Sequence, residues 1–171
     1  NEPGDSEHAL QAAQEGRRLF RDLQDGQKEI MLAGLEHSVL FLKGELDEVL
    51  RLAKEDVKIM EAKQGQRAAV AAALHELVQV YMTRREPQEA RRTAHEARAA
   101  YQALGDWNGE VGVLAAIALA HFQEQNAADG ISACAQILPI YRREGQRRRE
   151  AELLQEIAEV QLARTLPSKA V

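Results

Sequence analysis

Aromatic side chains are scarce in this chain: seven of 171 residues, or 4%, are Phe, Tyr or Trp. A β-sandwich or barrel needs aromatic and β-branched strands set off by turn residues, and this inventory excludes one. Cysteine is nearly missing too. The lone Cys134 can form no internal disulfide, so a reducing, cytoplasmic setting is expected. Long apolar runs are absent: the longest mainly apolar stretch, Val111 to Phe122, is too short to span a bilayer and reads as a buried helix, so no membrane partner is expected. Positive charge is not in surplus either. Residues 1–63 hold 9 basic and 14 acidic side chains and residues 64–171 hold 13 of each, for a net charge of −5. That balance cannot build the basic face that nucleic acid demands.

What the chain has in quantity is alanine, 29 residues, together with Leu, Glu, Gln and Arg and only four prolines. These are helix formers, and the small side chains suit helices that pack closely. The fold class is all-α, in one domain. The chain opens on Asn1 without Met or a leader pattern, so it reads as part of something longer.

A repeat organises it. The glycines of Glu61-Ala-Lys-Gln-Gly65-Gln, Tyr101-Gln-Ala-Leu-Gly105-Asp and Tyr141-Arg-Arg-Glu-Gly145-Gln stand 40 residues apart. After each glycine an apolar ladder returns: Leu74, Leu114 and Leu154, then Leu77, Ile117 and Ile157, then Val78, Ala118 and Ala158. Asp25-Gly26-Gln27 opens a fainter copy displaced by one residue. Each unit reads as two helices, the first with large apolar residues at helical spacing and the second with small ones, as in Ala90, Ala94 and Ala97. Pro87 and Asn126 suit helix starts, and the glycines suit left-handed helix stops. Eight helices are expected, at 6–23, 27–43, 46–63, 67–84, 87–103, 107–124, 127–143 and 147–164, with a kink at Pro139. The units are a partial repeat at 6–23, full repeats at 27–63, 67–103 and 107–143, and a partial repeat at 147–171. Within the last, Lys169-Ala170-Val171 reads as the start of another second helix.

These residues resemble the tetratricopeptide repeat. Leu74, Leu77, Val78, Tyr81, Ala90, Ala94 and Ala97 match its spacing, as do Leu114, Ile117, Ala118, His121, Gly130, Cys134 and Ile137; Leu154, Ile157, Ala158 and Gln161 repeat the first half. The period exceeds the usual ~34 residues. It is similar to the longer-helix variety found in kinesin light chains, G-protein-linked polarity adaptors and many microbial regulatory proteins. Val78, large where a small residue is usual, and His121 and Gln161, in place of the aromatic, depart from the pattern. The resemblance implies an α-solenoid, with antiparallel helix pairs stacked into a right-handed superhelix.

No catalytic motif is present in the sequence. There is no phosphate loop, no paired cysteine spacing and no His-Glu-x-x-His, and the histidines at 8, 37, 75, 95 and 121 form no i, i+4 ligand pair. No enzyme activity, cofactor or metal is expected. Cys134 fits a small packing residue. Arg142, Arg143, Arg147, Arg148 and Arg149 cluster within eight positions and could grip a phosphate or an acidic peptide. A solvated turn pairing with Glu150 and Glu152 fits that spacing better. Arg84, Arg85, Arg91, Arg92 and Arg98 alternate with Glu86, Glu89 and Glu96 as a charged helix face, on which Arg98 is expected to be exposed.

The resemblance implies that the first helices of successive units line a groove for a partner. Carried over by position, the groove residues are Ala72, His75, Gln79 and Met82, then Gly112, Ala115, Leu119 and Phe122, then Glu152, Gln155, Glu159 and Leu162. In the first copy, whose register is open by one residue, they are Leu32, Leu35, Val39 and Leu42. Leu35, Val39, Met82, Leu119 and Phe122 make this face apolar, which calls for a protein or peptide partner or for self-association. Lys and Asn, which the family uses to clamp a carboxylate tail, are missing at these positions. A protein-interaction scaffold follows. The alternatives are a ligand- or phospho-responsive sensor using the arginine cluster and a structural spacer.

Overall fold

The computed structural model describes residues 3–165, with side chains from residue 7 onward. Among the described residues there are nine helices and no strand: α1 (Pro3–Asp22), α2 (Gly26–Leu42), α3 (Leu46–Ala62), α4 (Arg67–Thr83), α5 (Pro87–Leu104), α6 (Trp107–Gln123), α7 (Ala127–Ala135), α8 (Leu138–Arg143) and α9 (Arg147–Thr165). The expected boundaries hold within a few residues, with one difference. Pro139 divides the seventh helix instead of kinking it. Its ring nitrogen has no proton to give the Ala135 carbonyl, so the chain tightens: Ile137 N–H donates to Cys134 and Ile140 N–H to Ile137, both at 3.0 Å. The stub Lys169-Ala170-Val171 lies outside the described residues.

The turns explain the period. Gly65, Gly105 and Gly145 take φ of 78°, 69° and 66°; Gly105 and Gly145 make the left-handed stop expected of them, whereas α3 already ends at an extended Lys63, two residues before Gly65. At two of the three the backbone then folds back, Asp106 N–H onto the Tyr101 carbonyl at 3.0 Å and Gln146 N–H onto Tyr141 at 2.8 Å. Half a unit away, Arg85 and Gln125 adopt the same conformation without glycine, at φ 58° and 59°. Helix starts are capped from the side chains of Asp106 and Asn126, which accept from Gly109 N–H at 3.0 Å and Asp129 N–H at 3.3 Å. Pro87 stands in the first turn of α5.

Alanine sets the helix spacing. Ala69, Ala71 and Ala73 of α4, Ala90, Ala94 and Ala97 of α5, and Ala116, Ala118 and Ala120 of α6 are all buried, so backbones approach closely around Leu74, Leu77, Val78, Tyr81, Leu114 and Ile117. Helix α4 is packed by α2, α3, α5 and α6. At the far end the ladder is not buried as it is in the earlier units: Leu154 is 43% exposed and Ile157 half-buried, while Leu153 is buried. The helices that carry Leu74 and Leu114 each pack against the second helix of their own unit, whereas no described helix follows α9.

The structure also fixes the first copy. The first helices of the units begin at residues 26, 67, 107 and 147, so the first step is 41 residues and the later ones are 40. The additional residue sits in the turn 63–66. Ala33, Glu36, His37 and Leu40, all buried, therefore occupy the places of Leu74, Leu77, Val78 and Tyr81. On that register the α2 residues equivalent to Ala72, His75, Gln79 and Met82 are Met31, Gly34, Ser38 and Phe41, which settles the open one-residue choice against Leu32, Leu35, Val39 and Leu42.

Candidate interaction face

Helices α2, α4 and α6 lie side by side, with α4 in contact with both neighbours. Two glycines allow the approach. A Cβ on Gly34 would sit 2.8 Å from the Glu76 carboxylate, and one on Gly112 would sit 2.8 Å from the His75 ring. His75 is thus wedged between α4 and α6, edge-on to Tyr101 at 6.1 Å, with Gln79 Nε2 at 3.3 Å from its Nε2. Burial lowers its pKa below the ordinary histidine value. It is a half-buried spacer more than a free contact residue.

Of the other residues expected to line a groove, Gln79, Ala115 and Leu119 are exposed, as are Gln155, Glu159 and Leu162 on α9, where Gln155 donates to Glu159 at 2.8 Å. Met82 is not: it is buried, because α4 is enclosed on both sides by its neighbours. Phe122 is also drawn inward, its ring lying where a Cβ of Gly130 in α7 would stand, at 2.5 Å. On α2, Val39 is half-buried. Leu35, although displaced by one residue from the repeat position, belongs to an exposed apolar stripe. Met31, Leu35 and Leu42 are 60%, 54% and 79% exposed, and Leu119 on α6 is 51% exposed.

The arginine cluster does not converge. Arg142 pairs with Glu150 at 2.6 Å, Arg143 with Glu144 at 2.8 Å and Arg148 with Glu152 at 2.8 Å. Arg149 lies over the Trp107 ring at 5.6 Å and donates to Asn108 at 3.3 Å. Arg147 is exposed. Arg98 is not the exposed residue expected; it is half-buried, donating to Glu110 at 3.1 Å and Gln136 at 2.9 Å. Burial pushes the half-buried Cys134 thiol up, consistent with a packing role.

Two features were not anticipated. The first is a buried polar junction. Arg17 of α1 donates to Glu36 of α2 at 2.9 Å and to Asp56 of α3, and Gln14 donates to Glu36 at 2.9 Å. His37 lies beside it, its Nε2 3.6 Å from Asp56 and neither ring nitrogen hydrogen-bonded. Burial, aided by the Arg17 charge, drives the His37 pKa down to about 4. The sequence signal was there at the 41-residue step, since Glu36, His37 and Asp56 stand where the next unit has Leu77, Val78 and Ala97. The second feature is a cleft of about 280 Å³ between α2, α3 and α4, lined by Gly34, His37, Phe41, Leu46, Glu76 and Val80 among others.

The chain is an all-α helical-repeat solenoid with an apolar stripe on an open helix face. No family model matches it, and no curated protein matches it. Among solved structures it is similar to the crystal structure of BtubC (BKLC) from P. vanneervenii, with a TM-score of 0.79. That likeness covers 94% of this chain and 67% of the other at 12% sequence identity, and so extends to the fold. Among the described residues no helix is long and apolar enough to cross a membrane, and no group of His, Cys, Asp and Glu is placed to hold a metal.

Proposed function

We propose that the chain is a tetratricopeptide-type recognition scaffold whose α2–α4–α6 face binds a protein segment or a second copy of itself. The observation that carries this reading is the exposure of Met31, Leu35, Leu42 and Leu119 on helices whose opposite faces are already buried. Four large apolar side chains in water gain by being covered, and a few such residues supply most of an interface's energy. The sensor reading loses support from the acidic partners of Arg142, Arg143 and Arg148, which leave Arg147 and Arg149 as the members of the cluster without an acidic partner among the described residues. A spacer would have no need of an apolar open face.

The test compares the wild-type chain with Leu35→Ser/Leu119→Ser in sedimentation and in selection from a displayed peptide library. The double variant should keep its helicity and lose self-association or peptide capture. Unchanged binding in the double variant, or binding lost only when Arg142, Arg143, Arg147, Arg148 and Arg149 become alanine, would overturn the scaffold reading.

A further inference from the structure

The cleft between α2, α3 and α4 holds an acid that the chain leaves unanswered. Glu76 leans from α4 onto Gly34 of α2, half-buried, and makes no hydrogen bond or ion pair with a described residue. Arg84, the one cation lining the cleft among the described residues, is already held by Asp47 at 2.7 Å and Glu86 at 2.8 Å. Phe41, Leu46 and Val80 supply an apolar wall. Ser38 and Leu42 belong both to the cleft and to the helix face that carries Met31 and Leu35, so an occupant of one runs directly onto the other.

We propose that this cleft receives a lysine or arginine side chain of the partner segment, with its aliphatic stem along Phe41, Leu46 and Val80 and its cationic head on the Glu76 carboxylate. Apolar residues flanking it in the same segment cover Met31, Leu35 and Leu42. The inference rests on the scaffold reading and names its partner class. A long basic side chain matches both halves of the site, because its stem is apolar and its charge sits at the tip. Burial without a partner cation pushes the Glu76 pKa up, and an incoming ammonium or guanidinium removes that penalty. The excess of 14 acidic over 9 basic residues in positions 1–63 attracts a basic segment as it approaches.

The test uses displayed short peptides whose central position is Lys, Arg, Gln or Glu and whose flanks vary over Leu, Ala, Ser and Gln. The wild-type chain should enrich Lys and Arg at the centre. The near-isosteric Glu76→Gln, checked for unchanged helicity and melting temperature, should bind the enriched peptides about ten- to hundredfold more weakly, the range for losing one charged hydrogen-bonding partner. Glu76→Lys should shift the preference to Glu. Peptides enriched without a basic residue, yet lost on Leu35→Ser/Leu119→Ser, overturn the cleft assignment while the scaffold reading stands. Basic peptides that bind Glu76→Gln as tightly as wild type also overturn it. Failure of the wild-type chain both to retain any peptide and to self-associate overturns both.

Discussion

Around α4 and α5 the positions of Leu77, Val78 and Ala97 are filled by carbon, whereas one unit earlier Glu36, His37 and Asp56 occupy the same places and close around Arg17. The backbone hardly registers the exchange; both units are antiparallel helix pairs joined by left-handed turns. The two junctions fail in different ways. A packed alanine-leucine seam loses contacts in proportion to what is removed, while an ionic junction depends on every member, since deleting one leaves the others charged and dry. One repeat architecture can therefore be held by two chemistries, and the polar junction sits next to the cleft that carries the proposed recognition chemistry.

Four measurements test that contrast. Arg17→Ala, which strands the Glu36 and Asp56 carboxylates, should lower the unfolding free energy by about 3–5 kcal/mol in denaturant titration. A loss under about 1 kcal/mol would mean that water reaches the junction and replaces the guanidinium. Leu114→Ala in the apolar seam should lower it by about 2–5 kcal/mol, against a few tenths for the exposed Arg92→Ala. Equal losses for the two would reverse the inside and outside faces of α5 and α6.

Acid should separate the junctions further. His37 is held neutral in the fold, with its pKa at about 4 against an ordinary value of 6.5. Between those pH values the unfolded chain takes up a proton that the folded chain refuses, so stability is full above 6.5 and falls towards pH 4, by about 3 kcal/mol in all. In His37→Val that part of the pH slope should vanish; an unchanged slope would place the proton uptake elsewhere. The smallest effect is expected from replacing the junction whole, as Arg17→Met, Glu36→Leu, His37→Val and Asp56→Ala. Such an exchange should be neutral or stabilising by about 1–4 kcal/mol in thermal unfolding, because desolvation of the ions is removed together with their attraction. A large loss would show that the ions themselves stabilise the unit.

The sequence carried the architecture because three glycines at a fixed step and the ladders after them specify helix ends and buried faces together. It carried the site less well. Met82 and Phe122 were placed in the groove by position alone, but exposure depends on how many neighbours a helix has and on whether a glycine opposite leaves room for a ring. Leu154 depends likewise on the element that covers it. Met31 of the α2 stripe and the polar junction were obscured by one residue in the turn 63–66, which moved the first copy out of register; Leu35 and Leu42 were named all the same. At the 41-residue step Glu36 and His37 stand out at once as polar residues in apolar places. The pairing of Arg98 with Glu110 and Gln136 crosses to other helices and leaves no trace in local spacing.

The location of binding is the point on which everything functional turns, and amide chemical-shift mapping locates it without a variant. A selected peptide titrated into the labelled chain should move amides of α2 near Met31 to Leu42, of α4 near Glu76 and Gln79, and of α6 near Ala115 and Leu119. Shifts confined to Arg142–Arg149, with that face of α2, α4 and α6 undisturbed, would contradict recognition through the apolar stripe.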